Sequence, residues 1–228
     1  MITTTNLNEL FQIVNVEHGE PHHVLGMHEV EHEGEKFVAV RAFVPQAKEI
    51  VVVDDADQDK TYPMMKIHED GFFEVIIEDR QEWFRYQLSL TDYEGNQWTT
   101  YDAYSFAPTI SEYDRYLFGA GNHYKIFEKL GAHITTVDGV EGVAFGVWAP
   151  NAKAVSVIGN FNSWDGRRNQ MRVLGESGIW ELFVPGLKEY DQYKYQIKDK
   201  YNNVCDKADP YASFAQLRPD TASVIYDN

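Results

Sequence analysis

FVAVRAFVPQAKEIVVV, residues 37–53, is answered by VAFGVWAPNAKAVSVI, residues 143–158. In the first stretch Val38, Val40, Ala42 and Val44 share one face, and Phe37, Ala39, Arg41 and Phe43 share the other. A period of two is what an extended strand requires. Pro45 maps to Pro150 and Ala47 to Ala152, both 105 residues apart. The correspondence continues in order. GFFEVII (71–77) matches GIWELFV (178–184), with Gly71 and Gly178 separated by 107 residues. RYQL (85–88) matches KYQI (194–197) at 109, and YDAYSF (101–106) matches ADPYASF (208–214), Asp102 and Asp209 lying 107 apart. Four matched blocks in one order indicate an internal duplication.

The remaining runs, EIVVV, GFFEVII and WFRYQLSL, are short and bounded by Gly, Pro, Asp or Asn. This spacing predicts an all-β chain of two tandem immunoglobulin-like β-sandwiches. The N-terminal sandwich is expected over residues 1–107 and the second over 108–228, with the boundary near APTISEYDRY (107–116). Two short helices are predicted. Leu7, Leu10, Phe11 and Val14 fall at helical spacing behind Asn6 and Glu9, which suit a capping box. Between the sandwiches, YKIFEKLGAH (124–133) reads as a short helix stopped by Gly131. The repeat also assigns Trp180 and Phe73 to the core, and it makes packing the default for Trp148, which maps to Phe43.

Composition narrows the partners. The 228 residues are 43% hydrophobic and 14% aromatic, with a net charge of −16 from 36 acidic and 20 basic side chains. Such a surface repels phosphate, so nucleic acid and anionic membranes are poor partners, whereas a neutral polysaccharide meets no barrier. The single cysteine, Cys205, suits a reducing compartment. MITTTNLNELFQIVN has no basic region ahead of a continuous apolar core, so it does not read as a secretory signal. No apolar run approaches a membrane span, and the expectation is a soluble, cytoplasmic protein.

Catalytic signatures are absent: no G-x-S-x-G, H-E-x-x-H, C-x-x-C or phosphate-binding glycine loop occurs. His18, His22, His23, His28 and His32 form a local excess, but their spacing matches no metal motif, so neither metal nor cofactor is expected. The informative residue is Trp164, in GNFNSWDGRRN (159–169). Its stretch falls on DDADQDK (54–60) of the first repeat, which has no aromatic. A flat indole flanked by Asn160, Asn162, Asp165 and Lys194 suits a pyranose, which offers an apolar C–H face and a rim of hydroxyls. The alternative is that Trp164 covers the end of its own sandwich.

The run FGVWAPNAKAVSVIGNFNSWDGRRNQMRVLGESGIWELFVPG, with YKYQI and ADPYASFAQLRPDTASVIYD, resembles the glycogen-binding-type module of bacterial 1,4-α-glucan branching enzymes. PHHVLGMHEV with VRAFVPQAKEIVVV resembles the extra N-terminal sandwich that many of them carry. The resemblance implies glycogen biosynthesis, with linear α-1,4 glucan as partner. It also implies a (β/α)₈ catalytic domain following Asn228, which would hold the catalytic carboxylates of this transferase, so no catalytic residue is assigned here. Related modules hold sugar with two tryptophans and a lysine. The first tryptophan corresponds to Trp164 and the lysine to Lys194, with Asn162 a weaker candidate. At the second tryptophan position this chain has Val204 or Cys205, with Tyr201 the nearby aromatic; the first sandwich has the reverse arrangement, with Trp98 but no counterpart of Trp164. The competing reading is a structural, protein-interacting pair of sandwiches without sugar binding.

Overall fold

The computed structural model describes residues 3–32 and 34–227. It divides into two compact units, one formed by residues up to 15 with 21–105, the other by 16–20 with 106 onward. Each is a pair of antiparallel sheets, as the alternating pattern predicts.

The first unit opens with α1 (Leu7–Val14), capped by the Asn6 side chain, which accepts the Asn8 N–H, and burying Leu10 and Ile13. Eight strands follow: β1 (Gly26–His32), β2 (Glu35–Phe43), β3 (Ala47–Asp54), β4 (Thr61–Pro63), β5 (Met65–His68), β6 (Phe72–Ile77), β7 (Tyr86–Asp92) and β8 (Gln97–Tyr101). One sheet runs β1-β2-β6-β5 and the other β4-β3-β7-β8. Val38, Val40, Ile50, Val52, Phe73 and Leu88 meet between them, with Trp98 packed against that cluster. Trp98 is thus partly buried against the core of its own sandwich.

The second unit contains α2 (Glu112–Gly119), β9 (Gly131–Val137), β10 (Val140–Trp148), β11 (Ala152–Gly159), β12 (Arg172–Val173), β13 (Ile179–Pro185), β14 (Gln192–Asp199), β15 (Val204–Lys207), β16 (Phe214–Ala215) and β17 (Ser223–Val224). Its sheets run β12-β13-β10-β9 and β11-β14-β17-β16, with β15 also paired to β14.

The duplication reaches further than the four sequence blocks. Val44 N–H donates to Gly71 O at 2.9 Å, as Ala149 N–H does to Gly178 O at 2.9 Å. Thr4 and Thr109 each bind a buried glutamate through backbone N–H and hydroxyl, Glu74 in the first unit and Glu181 in the second. Those glutamates are paired with Arg41 and Arg172 respectively. His28 and His133 each place Nε2 on a carbonyl three residues back, at 2.9 and 3.0 Å. Asp92 and Asp199 cap two hairpin turns with the same set of bonds, to Asn96 in one and Asn203 in the other.

Three expectations change. RYQL and KYQI do not align at 109: Asp54 pairs with Tyr86 where Gly159 pairs with Tyr193. Tyr86 donates to Asp102 at 2.6 Å as Tyr193 donates to Asp209 at 2.7 Å, so this block shares the 107-residue offset of its neighbours. Burial pushes both aspartates above their ordinary value despite those bonds. Second, the second helix is α2, while 124–133 makes only a 3₁₀ turn at Ile126–Glu128. Ser111 and Asp114 form a reciprocal capping box that starts α2 inside the stretch read as a boundary. Third, Trp148 is 53% exposed although its counterpart Phe43 is 3% exposed. Helix α1 lays Leu10 and Ile13 over Phe43, whereas α2 has Arg115 and Phe118 at those positions and buries no residue. Trp148 meets the Phe118 ring edge-on, with centroids 5.8 Å apart. Trp180 and Phe73 are buried as expected.

Candidate functional site

The site is built at the end of β11. Gly159 is fully extended, and a Cβ there would collide with the Gln192 carbonyl and the Phe161 ring, so only glycine lets the chain leave β11 this close to β14. A single 3₁₀ turn follows at Asn160–Asn162. Asn162 is 1% exposed. Its Oδ1 accepts Gly159 N–H at 2.8 Å, and its Nδ2 donates to Val157 O at 2.9 Å and to Asn169 Oδ1 at 2.8 Å. Both donors are used, and burial shields the remaining lone pair of the oxygen from an incoming sugar hydroxyl. Asn162 is a scaffold of the loop, which corrects its reading as a ligand contact.

Beyond it Ser163 and Trp164 both lie in the left-handed region, at φ 57° and 60°. The Trp164 N–H is tied to Gly159 O at 2.9 Å. A side chain held at positive φ costs about 1–2 kcal/mol, and residues kept in sparsely populated conformations cluster at ligand sites. The indole is 39% exposed, so its body rests on the protein while part faces solvent. The loop then returns along the outer edge of β11, with Val157 N–H donating to Asn169 O and Met171 N–H to Val155 O. Gly166 allows this by lying against Gln196, where a Cβ would meet the side-chain amide.

Lys194 lies at the strand end from which the Trp164 loop departs. Ile158 pairs with Lys194 and Gly159 with Tyr193, so the residue that anchors the Trp164 backbone is adjacent to the lysine. Lys194 Nζ donates to Thr221 Oγ1 at 2.8 Å, and sequence reasoning did not find this threonine. Asp165 borders the same loop. Burial alone would raise its carboxyl, but the Arg167 side chain and backbone N–H bind it and hold it below its ordinary value, as an anionic acceptor. Burial lowers the Arg168 guanidinium.

Tyr201 is elsewhere. It sits in the turn between β14 and β15, 74% exposed, with Lys200 Nζ 5.1 Å from its ring centroid. Five residues of extended strand, about 17 Å, separate Lys194 from Asp199 where that turn begins. Strand pairing thus sets Lys194 beside the Gly159 that anchors the Trp164 backbone, whereas Tyr201 lies beyond the far end of β14. Val204 pairs with Lys198, on the face that carries Lys194 and Gln196, while Cys205 pairs with Ile197 on the other. Of the two residues offered for the second tryptophan position, Val204, 55% exposed, is the one on the site's face. Among the described residues no group of three or more metal-ligating side chains occurs; His28 binds the Leu25 carbonyl, His22 contacts the Tyr104 ring, and the side chain of His32 lies outside the described residues.

Residues 6–104 match the family described as alpha-1,4-glucan branching enzyme GlgB, N-terminal domain, and residues 129–212 match carbohydrate-binding module 48 (isoamylase N-terminal domain). The chain is 45% identical over 225 residues to the 1,4-alpha-glucan branching enzyme of Thermosynechococcus vestitus, covering 98% of this chain and 29% of that protein. It is 43% identical over 225 residues to that of Trichodesmium erythraeum, covering 98% and 28%. It thus spans about 29% of the length of the curated relatives it matches. Among solved structures, a pullulanase from Anoxybacillus sp. is 20% identical, covering 84% of this chain and 26% of that one, with a TM-score of 0.37.

Proposed function

Because its two sandwiches belong to the branching-enzyme N-terminal domain family and to carbohydrate-binding module family 48, we propose that this chain contacts linear α-1,4 glucan through Trp164 and Lys194. The longer protein is then a cytoplasmic transferase of glycogen biosynthesis, with a (β/α)₈ catalytic domain after Asn228 that docks on these modules. The observation that carries the sugar-binding reading is the left-handed, partly exposed Trp164, built on a loop whose Gly159 and Asn162 serve to shape it.

The chemistry fits a neutral polyol. A glucose ring lays its C–H face on the open part of the indole, and the Lys194 ammonium and Thr221 hydroxyl reach its hydroxyls. Ionised Asp165 offers an acceptor at the same loop. One stacked aromatic contributes about 0.5–1.5 kcal/mol beyond area burial, so a single contact is weak. On a polymer, many equivalent segments raise the effective concentration and offset this.

One observation favours the competing reading, in which Trp164 is packing: most of its surface is covered. Trp164→Leu separates the two, because leucine keeps an apolar cover but offers no flat face. Retardation of the chain on a native gel containing glycogen should be lost in Trp164→Leu and weakened several-fold in Lys194→Ala, with melting temperatures little changed. If both variants migrate like wild type, Trp164 is packing and the chain's role is structural.

A further inference from the structure

The face that carries Lys194 in the second sandwich has a counterpart in the first. Val53 pairs with Gln87 as Ile158 pairs with Lys194, and Val51 pairs with Ser89 as Ser156 pairs with Gln196. Ser89 in turn pairs with Thr99 as Gln196 pairs with Asp206. Gln87, Ser89 and Thr99 are therefore the equivalents of Lys194, Gln196 and Asp206. The covering differs. In the second sandwich the loop after Gly159 closes over β11, and both Ser156 and Ile158 are buried beneath it. In the first sandwich the connection from β3 to β4 is shorter, Val51 and Val53 remain half-buried, and a hollow of about 300 Å³ opens over Val53, Asp55, Gln58, Gln87, Ser89 and Thr99.

We propose that this hollow is a second glucan-contact site, taking a hexose unit of an α-1,4 glucan; it rests on the reading, given above, that this chain contacts glucan. Its lining determines the ligand class. Asp54, which also borders the hollow, is paired with Arg80, and Asp55 with Arg85 at 2.9 Å, so the carboxylates are balanced by guanidiniums. Asp55 is further held by Gln87 Nε2 at 2.9 Å and the Tyr101 hydroxyl at 3.0 Å. An anion meets two carboxylates, and a divalent cation finds both already paired with guanidiniums; among the described residues no group of three metal-ligating side chains occurs here. What remains are amides, hydroxyls and carboxylate lone pairs around the apolar Val53, a set that matches a neutral, hydroxyl-rich ring. The volume is at the small end of ligand pockets, about 300–1,000 Å³, and fits a short piece of a chain. No aromatic side chain is among the residues that line it. Binding is therefore weaker than at Trp164 and matters only on a polymer.

The test is a titration of the intact, ¹⁵N-labelled chain with maltoheptaose. The signals of Gln58, Gln87, Ser89 and Thr99 should shift with a dissociation constant of about 1–10 mM, and they should still shift in Trp164→Leu. Ser89→Arg, which fills the hollow, should remove these shifts and leave those around Trp164 intact. If the Trp164 loop responds and the Ser89 group does not, this inference falls and the site at Trp164 stands. The opposite pattern supports the hollow and overturns Trp164. If neither group shifts, both fall. The wild-type titration decides these cases even if Ser89→Arg fails to fold.

Discussion

Asn162→Ala tests whether the candidate site is built from beneath. The side chain is buried and makes three hydrogen bonds, to Gly159 N–H, Val157 O and Asn169 Oδ1. Alanine removes all three and leaves the Gly159 donor and two acceptors in an enclosed place. A lost internal bond costs about 0.5–1.5 kcal/mol net, and a buried group left unsatisfied about 1–3 kcal/mol. With two of the freed groups regaining water as the loop loosens, the sum is about 3–4 kcal/mol. For a unit of this size that corresponds to a fall of about 10–15 °C in the midpoint of its unfolding. Calorimetry on the intact chain would read the midpoint, and hydrogen exchange would report the Gly159 amide, which should lose protection. Retardation by glycogen, measured well below the midpoint, should weaken as well, because Trp164 hangs from the same Gly159. A ligand-contacting Asn162 gives a different result: retardation falls while the midpoint and the Gly159 protection stay as in wild type. That outcome would refute the scaffold assignment.

Two further predictions concern the duplicated framework. Gly71→Ala and Gly178→Ala should each destabilise their own unit by about 2–3 kcal/mol, since both glycines have positive φ, 97° and 70°, and a Cβ would come within 2.7 Å of Pro45 Cα and Pro150 Cβ respectively. Similar losses in the two calorimetric transitions are expected, and a neutral effect in either unit would break the equivalence. Burial alone would raise the Glu74 carboxyl, but bonds from Thr3, Thr4 and Arg41 and the charge of Arg41 hold it below its ordinary value of 4.5. A depressed carboxylate stabilises the folded state above its unfolded value and loses that contribution as pH falls through it and below. Glu74→Gln should therefore be clearly less stable than wild type at neutral pH and converge with it as the pH falls below 4.5 and through the depressed folded-state value; a gap independent of pH would exclude this coupling.

The sandwich fold was legible because its evidence is periodic and occurs twice. Alternation in FVAVRAFV and the Pro45–Pro150 match identify strands and copies without knowledge of contacts. What escaped was information carried by single residues. Leu25-Gly26 with His28 is repeated as Leu130-Gly131 with His133, a short pattern that extends the duplication to the start of each unit once the shared histidine-to-carbonyl bond is seen. Tyr86 was aligned with Tyr195 because RYQL looks like KYQI, whereas strand pairing and the buried aspartates select Tyr193. Packing is the default for Trp148 in the sequence because the repeat places Phe43 at the matching position. The exposure of Trp148 depends on the helix above, where Arg115 replaces Leu10, and no property of β10 itself reports that.

The site was half legible for a related physical reason. Trp164 stood out because an aromatic in a polar turn, with no counterpart in the other repeat, has no obvious packing role. The asparagines around it carry no such contrast. An amide in a turn looks the same in sequence whether it points at solvent or back at the chain, since both uses exploit the same donors and acceptors. Only the fold distinguishes them, and it sends Asn162 inward while Trp164 is lifted by two left-handed residues. Tyr201, offered as the aromatic nearest Val204 and Cys205, stands apart from Lys194 for a different reason: an extended strand converts each residue into about 3.3 Å of separation, so closeness along β14 is distance in space. Thr221, far along the chain, reaches the Lys194 ammonium because β17 pairs with the start of β14. In a β-sandwich, groups that act together are brought together across strands, and the strand pairing links Lys194 to Ile158 and Gly159 while leaving Tyr201 at the far end.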